Sequence, residues 1–187
     1  QKKMDIQQLF DRFLVLSENK RKGYTESLGL PEPNATQQLE FVAGSPLPPL
    51  LAYIYNKVAG TPRQCKREDF IDFIPGFRLI HVNDWPAAYE ALKKVHGADW
   101  LPLLRDDENG YYAINRTTDE VAITFLDEFA FIDAVSLNAT NFLQTLVANY
   151  ERKVYSVDRF GLLDYDERRE GEVAREINPD VDYWMEE

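Results

Sequence analysis

The spacing of hydrophobic residues changes twice along this chain, and that change limits the folds open to it. Near the start, apolar side chains recur every three or four residues, as in an amphipathic helix, at Ile6, Leu9, Phe10, Phe13 and Leu16. Short apolar runs separated by polar turns follow between residues 100 and 126, as in hairpin-connected strands. Helical spacing returns after residue 139. The pattern predicts an α+β fold in a single domain, 1–187, with a mainly antiparallel central sheet flanked by helices.

Six segments are predicted to be helical, namely residues 6–22, 35–43, 50–58, 85–95, 139–155 and 164–177. Asn34 is followed by Gln37 three residues later, which favours a capped helix start, and Asp84 is a second candidate N-cap. The charged last segment predicts an acidic helical extension over residues 151–187.

Five segments are predicted to be extended, namely residues 70–74, 77–82, 100–104, 111–115 and 121–126. Asn109 and Gly110 predict a tight hairpin between the third and fourth of them, because both residues tolerate a positive φ. Trp100 is expected to anchor the central strands in the core.

The net charge of −11 is concentrated in the second half of the chain. Residues 1–98 carry a balance of +2, whereas residues 99–187 carry −13. Such a polarised surface suits the steering of a basic partner, although an acidic face also serves solubility. Direct binding of nucleic acid is not expected, because phosphate contacts need a basic patch.

Residue types for catalysis or metal binding are scarce. The chain has one cysteine, Cys65, and two histidines, His81 and His96, with no local signature of a nucleophile and its base. The motifs of serine hydrolases, phosphate-binding loops, dinucleotide sites and zinc proteases are absent from the sequence. The acidic clusters 106–108 and 127–128 offer carboxylates for acid–base or metal chemistry, but without the ligand spacing of a calcium loop. We therefore expect no enzymatic activity, no cofactor and no metal.

The sequence also bears on location. No apolar run approaches the ~20 residues that a membrane helix needs, and no signal peptide is visible. A cytoplasmic protein without membrane contact is the resulting expectation.

A protein-binding surface is predicted around the turn of the central hairpin. Three acids form the tip of this turn, and two tyrosines follow in the strand after it. Two further acids after the next strand extend the acidic patch. The predicted partner-binding residues, in that order, are Asp106, Asp107 and Glu108, then Tyr111 and Tyr112, then Asp127 and Glu128. Strand side chains alternate, so one tyrosine should face the core and the other solvent or a partner. Tyrosines beside an acidic patch are typical interface anchors. The alternatives are a merely solvated turn and two tyrosines that both pack across the sheet.

Several short motifs together resemble a known family. Glu40-x-x-x-Gly44-x-x-Leu47-Pro48, followed by Leu51, Tyr55 and Gly60, resembles the N-terminal motif of the SUKH superfamily. Trp100-Leu101-Pro102-Leu103 is similar to that family's Trp-Leu-Pro strand, and Phe142-Leu143 to its closing helix. The resemblance covers about residues 35–147, and leaves an N-terminal helix in 1–34 and the extension 151–187 outside it. The family contains fungal cell-wall-assembly regulators and many bacterial immunity proteins.

The resemblance implies a binding protein, because many bacterial members neutralise a cognate toxin, often one directed at nucleic acid. An acidic second half suits the basic cleft that such a toxin presents. We therefore predict a non-enzymatic immunity protein whose partner is a basic toxin domain. The alternatives are an intracellular regulatory or scaffold module with a cellular protein partner and, third, a hydrolase or metal enzyme.

Overall fold

Five strands pair in chain order to form one antiparallel sheet, in a computed structural model that describes residues 2–127 and 129–185. The strands are β1 (Arg78–Leu79), β2 (Trp100–Arg105), β3 (Gly110–Asn115), β4 (Val121–Phe125) and β5 (Phe131–Ser136). Every neighbouring pair is antiparallel. Together with the flanking helices, this sheet confirms the predicted α+β class and single domain.

Helices cover both faces of the sheet. They are α1 (Ile6–Lys20), α2 (Tyr24–Ser27), α3 (Ala35–Ala43), α4 (Pro49–Lys57), α5 (Trp85–His96), α6 (Ala139–Glu151) and α7 (Glu167–Ile177). His96 of α5 lies 2.7 Å from Thr124 Oγ1, whereas Phe142 of α6 packs on Tyr112 with 5.9 Å between ring centroids. Thr124 pairs with Tyr111, so these two side chains lie on the same face of the sheet. Tyr112 is the next residue of β3 and points to the other face, so α5 and α6 lie on opposite faces.

The N-terminal helix packs against α6 and extends the core away from the sheet. Phe13 of α1 meets Tyr150 of α6 with 5.4 Å between ring centroids, and the Ser17 hydroxyl donates to the Tyr150 hydroxyl at 3.2 Å. Ser17 is fully buried, and this bond gives its hydroxyl the partner that a buried polar group needs.

The C-terminal extension begins with a small two-stranded sheet rather than with a helix. Its strands are β6 (Tyr155–Val157) and β7 (Leu163–Tyr165), and they precede α7. A 3-10 turn at Asp182–Trp184 then lies beside β5, where the Trp184 indole nitrogen donates to the Val135 carbonyl at 2.8 Å. The extension therefore packs against the edge strand of the main sheet, which leaves less of that edge exposed.

Trp85, not Trp100, is the buried tryptophan of the central core. Trp85 is fully buried, stacks on Tyr89 and donates its indole N–H to the Pro102 carbonyl at 2.8 Å. Trp100 begins β2, is only partly buried and does not belong to the packed core. The expectation that Trp100 anchors the core is therefore wrong, because the first residue of the strand lies at the edge of the packed layer.

The predicted strand 70–74 is also wrong. Residues Glu68–Phe70 form a 3-10 turn, and the second run, 77–82, is reduced to the two residues of β1. Arg21, which follows α1, explains the difference: its Nη1 donates to the carbonyls of Asp69 at 3.2 Å and Asp72 at 2.6 Å. A side chain distant in sequence thus takes the place of a strand partner for this segment.

The helix after residue 139 ends earlier than its pattern predicts. Lys153 adopts a left-handed conformation with φ 58°, and the amides of Lys153 and Val154 donate to the carbonyls of Tyr150 and Asn149. This is a Schellman motif, which closes α6 at Glu151 and redirects the chain into β6.

The two predicted N-caps form no capping hydrogen bond. Asn34 adopts a left-handed conformation with φ 58°, and neither its side chain nor that of Asp84 accepts a hydrogen bond from the first turn of the helix that follows.

Candidate functional site

The turn of the β2–β3 hairpin is held by the side chain of Asp106. Its Oδ1 accepts hydrogen bonds from the amides of Glu108 and Gly110, both at 2.8 Å. Gly110 has no positive φ, but a Cβ at this position would lie 2.9 Å from Phe125 Cε1 and closer still to the Asp106 carboxylate. The predicted hairpin is present, yet Asp106 and the close approach at Gly110 form it rather than a left-handed Asn-Gly turn.

The other two acids of the tip point in different directions. Asp107 forms an ion pair with Arg78 of β1, although the Asp107 side chain remains 81% exposed. Glu108 is exposed. Of the three predicted tip carboxylates, Asp106 therefore serves the turn, Asp107 is partly compensated, and Glu108 projects into solvent.

Tyr111 and Tyr112 lie on opposite faces of β3. Tyr111 is half-buried, and burial raises the pKa of its hydroxyl. Tyr112 lies on the α6 side, where its ring packs edge-on against Phe77 with 4.7 Å between centroids, and burial raises its pKa as well. The Tyr112 ring packs against Phe77 and Phe142, so it is not part of the exposed surface formed by the acidic tip.

Asp127 lies in the turn next to the tip. The Leu126 amide donates to the Asn109 carbonyl at 2.8 Å, which joins the β4–β5 turn to the β2–β3 turn. Asp127 is exposed, and its Oδ1 accepts from the amide of Phe129. Glu128, the last of the predicted partner-binding residues, lies outside the described residues.

A groove of about 500 Å³ begins beside the tip and is lined mainly by acids. Six carboxylates line it, from three separate segments of the chain: Glu68, Asp69, Asp72, Asp107, Asp158 and Asp164. We call this feature the acidic groove. Half of its carboxylates come from the first half of the sequence, whose charge is balanced overall. The prediction of a surface on the second half alone therefore misses one wall.

Arginines compensate two of the six charges in the acidic groove. Arg67 binds Asp69 through two contacts, at 2.5 and 3.0 Å, and Arg78 binds Asp107. Within residues 2–127 and 129–185, the other four carboxylates form no ion pair. Burial raises the pKa of Asp72; the hydrogen bond from the Gly76 amide and the charges of Arg21 and Arg78 oppose that rise, and the Asp107 carboxylate adds to it. Like charges thus accumulate where water is partly excluded.

The β6–β7 hairpin forms one side of the groove, and its turn packs closely on Asp69, which lines the opposite side. Asp158 Oδ1 accepts from the amides of Phe160 and Leu162, at 2.8 and 3.0 Å, which shapes the hairpin turn. Gly161 has a φ of +82°, and a Cβ there would meet Asp69 Cβ at 3.5 Å. Phe160 at this tip is 69% exposed, and the Arg159 guanidinium lies over its ring, 4.6 Å from the centroid. An exposed aromatic ring in such a position is a typical interface anchor.

The cysteine and the histidines occupy separate structural positions. Cys65 Sγ contacts the Arg67 carbonyl, the Asn83 amide donates to His81 Nδ1, and His96 binds Thr124. Desolvation lowers the pKa of His96. The described part of the chain contains no group of three or more His, Cys, Asp or Glu side chains arranged to hold a metal ion. It also contains no helix with the length and apolar content needed to span a membrane.

Comparison with known proteins gives no assignment: neither the protein-family models nor the curated protein sequences contain a match to this chain. The resemblance to the SUKH superfamily consequently stays a prediction that rests on the motifs quoted above.

Sequence reasoning missed several residues that shape the acidic groove. The sequence predicts no strand between the helices 139–155 and 164–177, so Asp158 and Phe160 were not recognised as part of a hairpin turn. One local signal was present, because Asp158-Arg159-Phe160-Gly161 combines two typical turn residues between apolar runs. For Glu68 and Asp72 there was no such signal, because the fold alone brings them opposite the hairpin.

Proposed function

We propose that this protein binds a basic protein partner and neutralises it without catalysing a reaction, as an immunity protein does with its toxin. The observation that carries the proposal is the acidic groove, where six carboxylates line one space of about 500 Å³ and arginines form ion pairs with only two of them. Excess negative charge inside a concave surface attracts a cationic partner and speeds its association.

Two further features support this proposal. Phe160 provides exposed apolar surface on the turn between Asp158 and Leu162, two residues that line the groove. The resemblance to the SUKH superfamily points the same way, since a helix that ends at Gly44 and a helix that follows Pro48 occur where its motif predicts them. A toxin that acts on nucleic acid needs a basic cleft, and the acidic groove is complementary to such a cleft.

The proposal is tested on a partner captured from the native host with the tagged protein and then identified. Its association should slow as salt rises from about 0.05 to about 0.5 M, because the Debye length shrinks over that range from more than 10 Å to a few ångström. The double variant Glu68→Gln/Asp164→Asn removes two unpaired groove charges and should lower the association rate severalfold. Glu32→Gln/Glu90→Gln makes the same charge change at exposed positions outside the groove and should leave the rate near that of the wild type.

Neutralisation needs a separate measurement. Addition of one equivalent of the protein should abolish the captured partner's own activity. Association that is independent of salt and equal in the two double variants would overturn the groove as the binding surface. A partner that keeps full activity when saturated would overturn the neutralising role and favour the regulatory module.

A further inference from the structure

A second, smaller cleft lies where the C-terminal extension covers the space between the sheet and α6. Its walls include Tyr112 of β3, Asn149 of α6, Tyr155 of β6, Glu170 of α7 and the ring of Trp184. The space inside is about 30 Å³, which accommodates one group the size of a water molecule. Glu170, Tyr112 and Trp184 are partly exposed, so the cleft opens to solvent. It shares no lining residue with the acidic groove.

Beside the hydroxyls of Tyr112, Ser136, Thr145 and Tyr155, this cleft contains two acceptors that have no partner among the described residues. Asn149 is 1% exposed, and its Oδ1 has no hydrogen-bond partner. Among the residues that the structure describes, none forms an ion pair with the partly buried Glu170 carboxylate. An unpaired acceptor and an uncompensated carboxylate in one desolvated space both cost stability. A bound group that brings N–H donors and positive charge would remove both costs.

Aromatic rings and the small volume narrow the choice of that group. Tyr112, Tyr155 and Trp184 line the cleft, and aromatic side chains attract a cation through the negative charge of their ring faces. A guanidinium group is planar, carries three nitrogens and is larger than an ammonium group. A primary ammonium is a compact charge with three donors and is about the size of a water molecule.

We propose that this cleft binds a primary ammonium group carried on an alkyl chain. Glu170 is the counter-ion, Asn149 Oδ1 accepts one N–H, and the aromatic rings surround the head group while the alkyl chain leaves through the open side. The ammonium belongs to a free alkylamine or to a lysine side chain, and both sources present the same head group. The site goes beyond the proposed function and does not depend on the acidic groove.

The test titrates the ¹⁵N-labelled protein with n-butylammonium chloride at pH 8, against sodium chloride of equal ionic strength. Saturable shifts are expected at the side-chain amide of Asn149 and the indole N–H of Trp184. Glu170→Gln preserves the shape and removes the counter-ion, so it should weaken binding about tenfold or more. Glu167→Gln removes a charge from the same helix, one turn away and outside the cleft, and should bind like the wild type.

Two further probes separate the sources and the kind of recognition. If N-acetyl-lysine methylamide binds at least as tightly as butylammonium, the natural ligand is a lysine of a polypeptide; binding of butylammonium alone points to a free amine. Guanidinium chloride should not compete. Equal competition by guanidinium would show unspecific charge attraction and overturn the proposal.

A proton measurement keeps the proposal testable if Glu170→Gln fails to fold. Ammonium binding requires the ionised carboxylate, so calorimetric titration at pH 6.5 in two buffers of different ionisation enthalpy should show net proton release. Facing Glu170 are Tyr112, Tyr155, Tyr165 and Tyr183, whose raised pKa values keep them neutral at this pH, and Glu167 on its own helix. No saturable shift and no proton release would show that the cleft holds water only. The groove variant Glu68→Gln/Asp164→Asn should bind the amine normally, which separates this test from that of the proposed function.

Discussion

Glu170 is expected to make this protein less stable as pH rises through neutrality. Burial raises the pKa of its carboxyl from 4.5 to about 7, and the Glu167 carboxylate adds to that rise. In the unfolded chain the carboxyl loses its proton near pH 4.5, whereas the native state keeps the proton up to about pH 7. The contribution of the protonated carboxyl to stability is therefore full below pH 4.5 and is lost as pH increases through 7.

The size of the effect follows from the pKa difference between the two states. The interval from 4.5 to about 7 corresponds to ~3 kcal/mol of unfolding free energy. Glu170→Gln cannot ionise and keeps a similar shape, so at pH 8 the variant should be more stable than the wild type by up to about 3 kcal/mol. Near pH 4.5 the two proteins should be nearly equal. Other carboxylates titrate alike in both proteins, so they cancel from the difference.

Urea unfolding followed by circular dichroism at pH 4.5, 6, 7 and 8 measures this difference. The buffers should contain no primary amine, because an ammonium group is the proposed ligand of the same cleft. Glu167→Gln, the matched control, should keep most of the pH dependence of the wild type. A constant difference between Glu170→Gln and the wild type from pH 4.5 to 8 would refute the reasoning from burial.

Three further changes test the fold by denaturation. Trp85→Ala should cost ~3–5 kcal/mol because the ring is fully buried, whereas Trp100→Ala should cost only about 1–2 kcal/mol at its partly buried site outside the packed core; equal losses would contradict the assignment of the core tryptophan. Gly110→Ala should destabilise by ~1–3 kcal/mol, because its Cβ would clash with the Asp106 carboxylate; an unchanged midpoint would show that the turn relaxes freely. Lys153→Gly should stabilise by about 0.5–1 kcal/mol, because glycine adopts the left-handed conformation at little cost; a loss of stability would mean that the lysine side chain contributes more than its backbone costs.

Segments whose structure depends on neighbouring residues were predicted well from the sequence. The helix from Ile6 was correct because its apolar stripe and the glycine after it are local signals. The central hairpin was also correct, although the turn depends on Asp106 and not on the φ of Gly110. Local sequence patterns therefore predicted that the hairpin forms, but not the side-chain contact that holds its turn.

Segments whose structure depends on distant residues were not predictable in this way. Residues 70–74 carry a good strand pattern, yet Arg21 from a distant part of the chain binds the carbonyls of Asp69 and Asp72 and holds a turn. β5 was missed because half of it faces solvent, so its apolar pattern is weak. For the candidate site, the charge balance predicted an acidic surface, but its walls include Glu68 and Asp72 from the balanced half. Glu170 could not be recognised, because only the fold buries its carboxyl.

The contact between α1 and α6 has a consequence for the protein while it is being made. The apolar side of α1 packs on Tyr150, and Ser17 is separated from that residue by 133 positions. Each hairpin of the sheet can form as soon as its second strand has been synthesised, whereas α1 can pack on α6 only after α6 has been synthesised. Tyr53 of α4 and Phe73 can cover part of α1 earlier. At the ~5–20 residues per second of synthesis, the side of α1 that packs on α6 stays uncovered for roughly 7 to 27 seconds. Chains interrupted before α6 never cover it, which makes them substrates for chaperones and proteases.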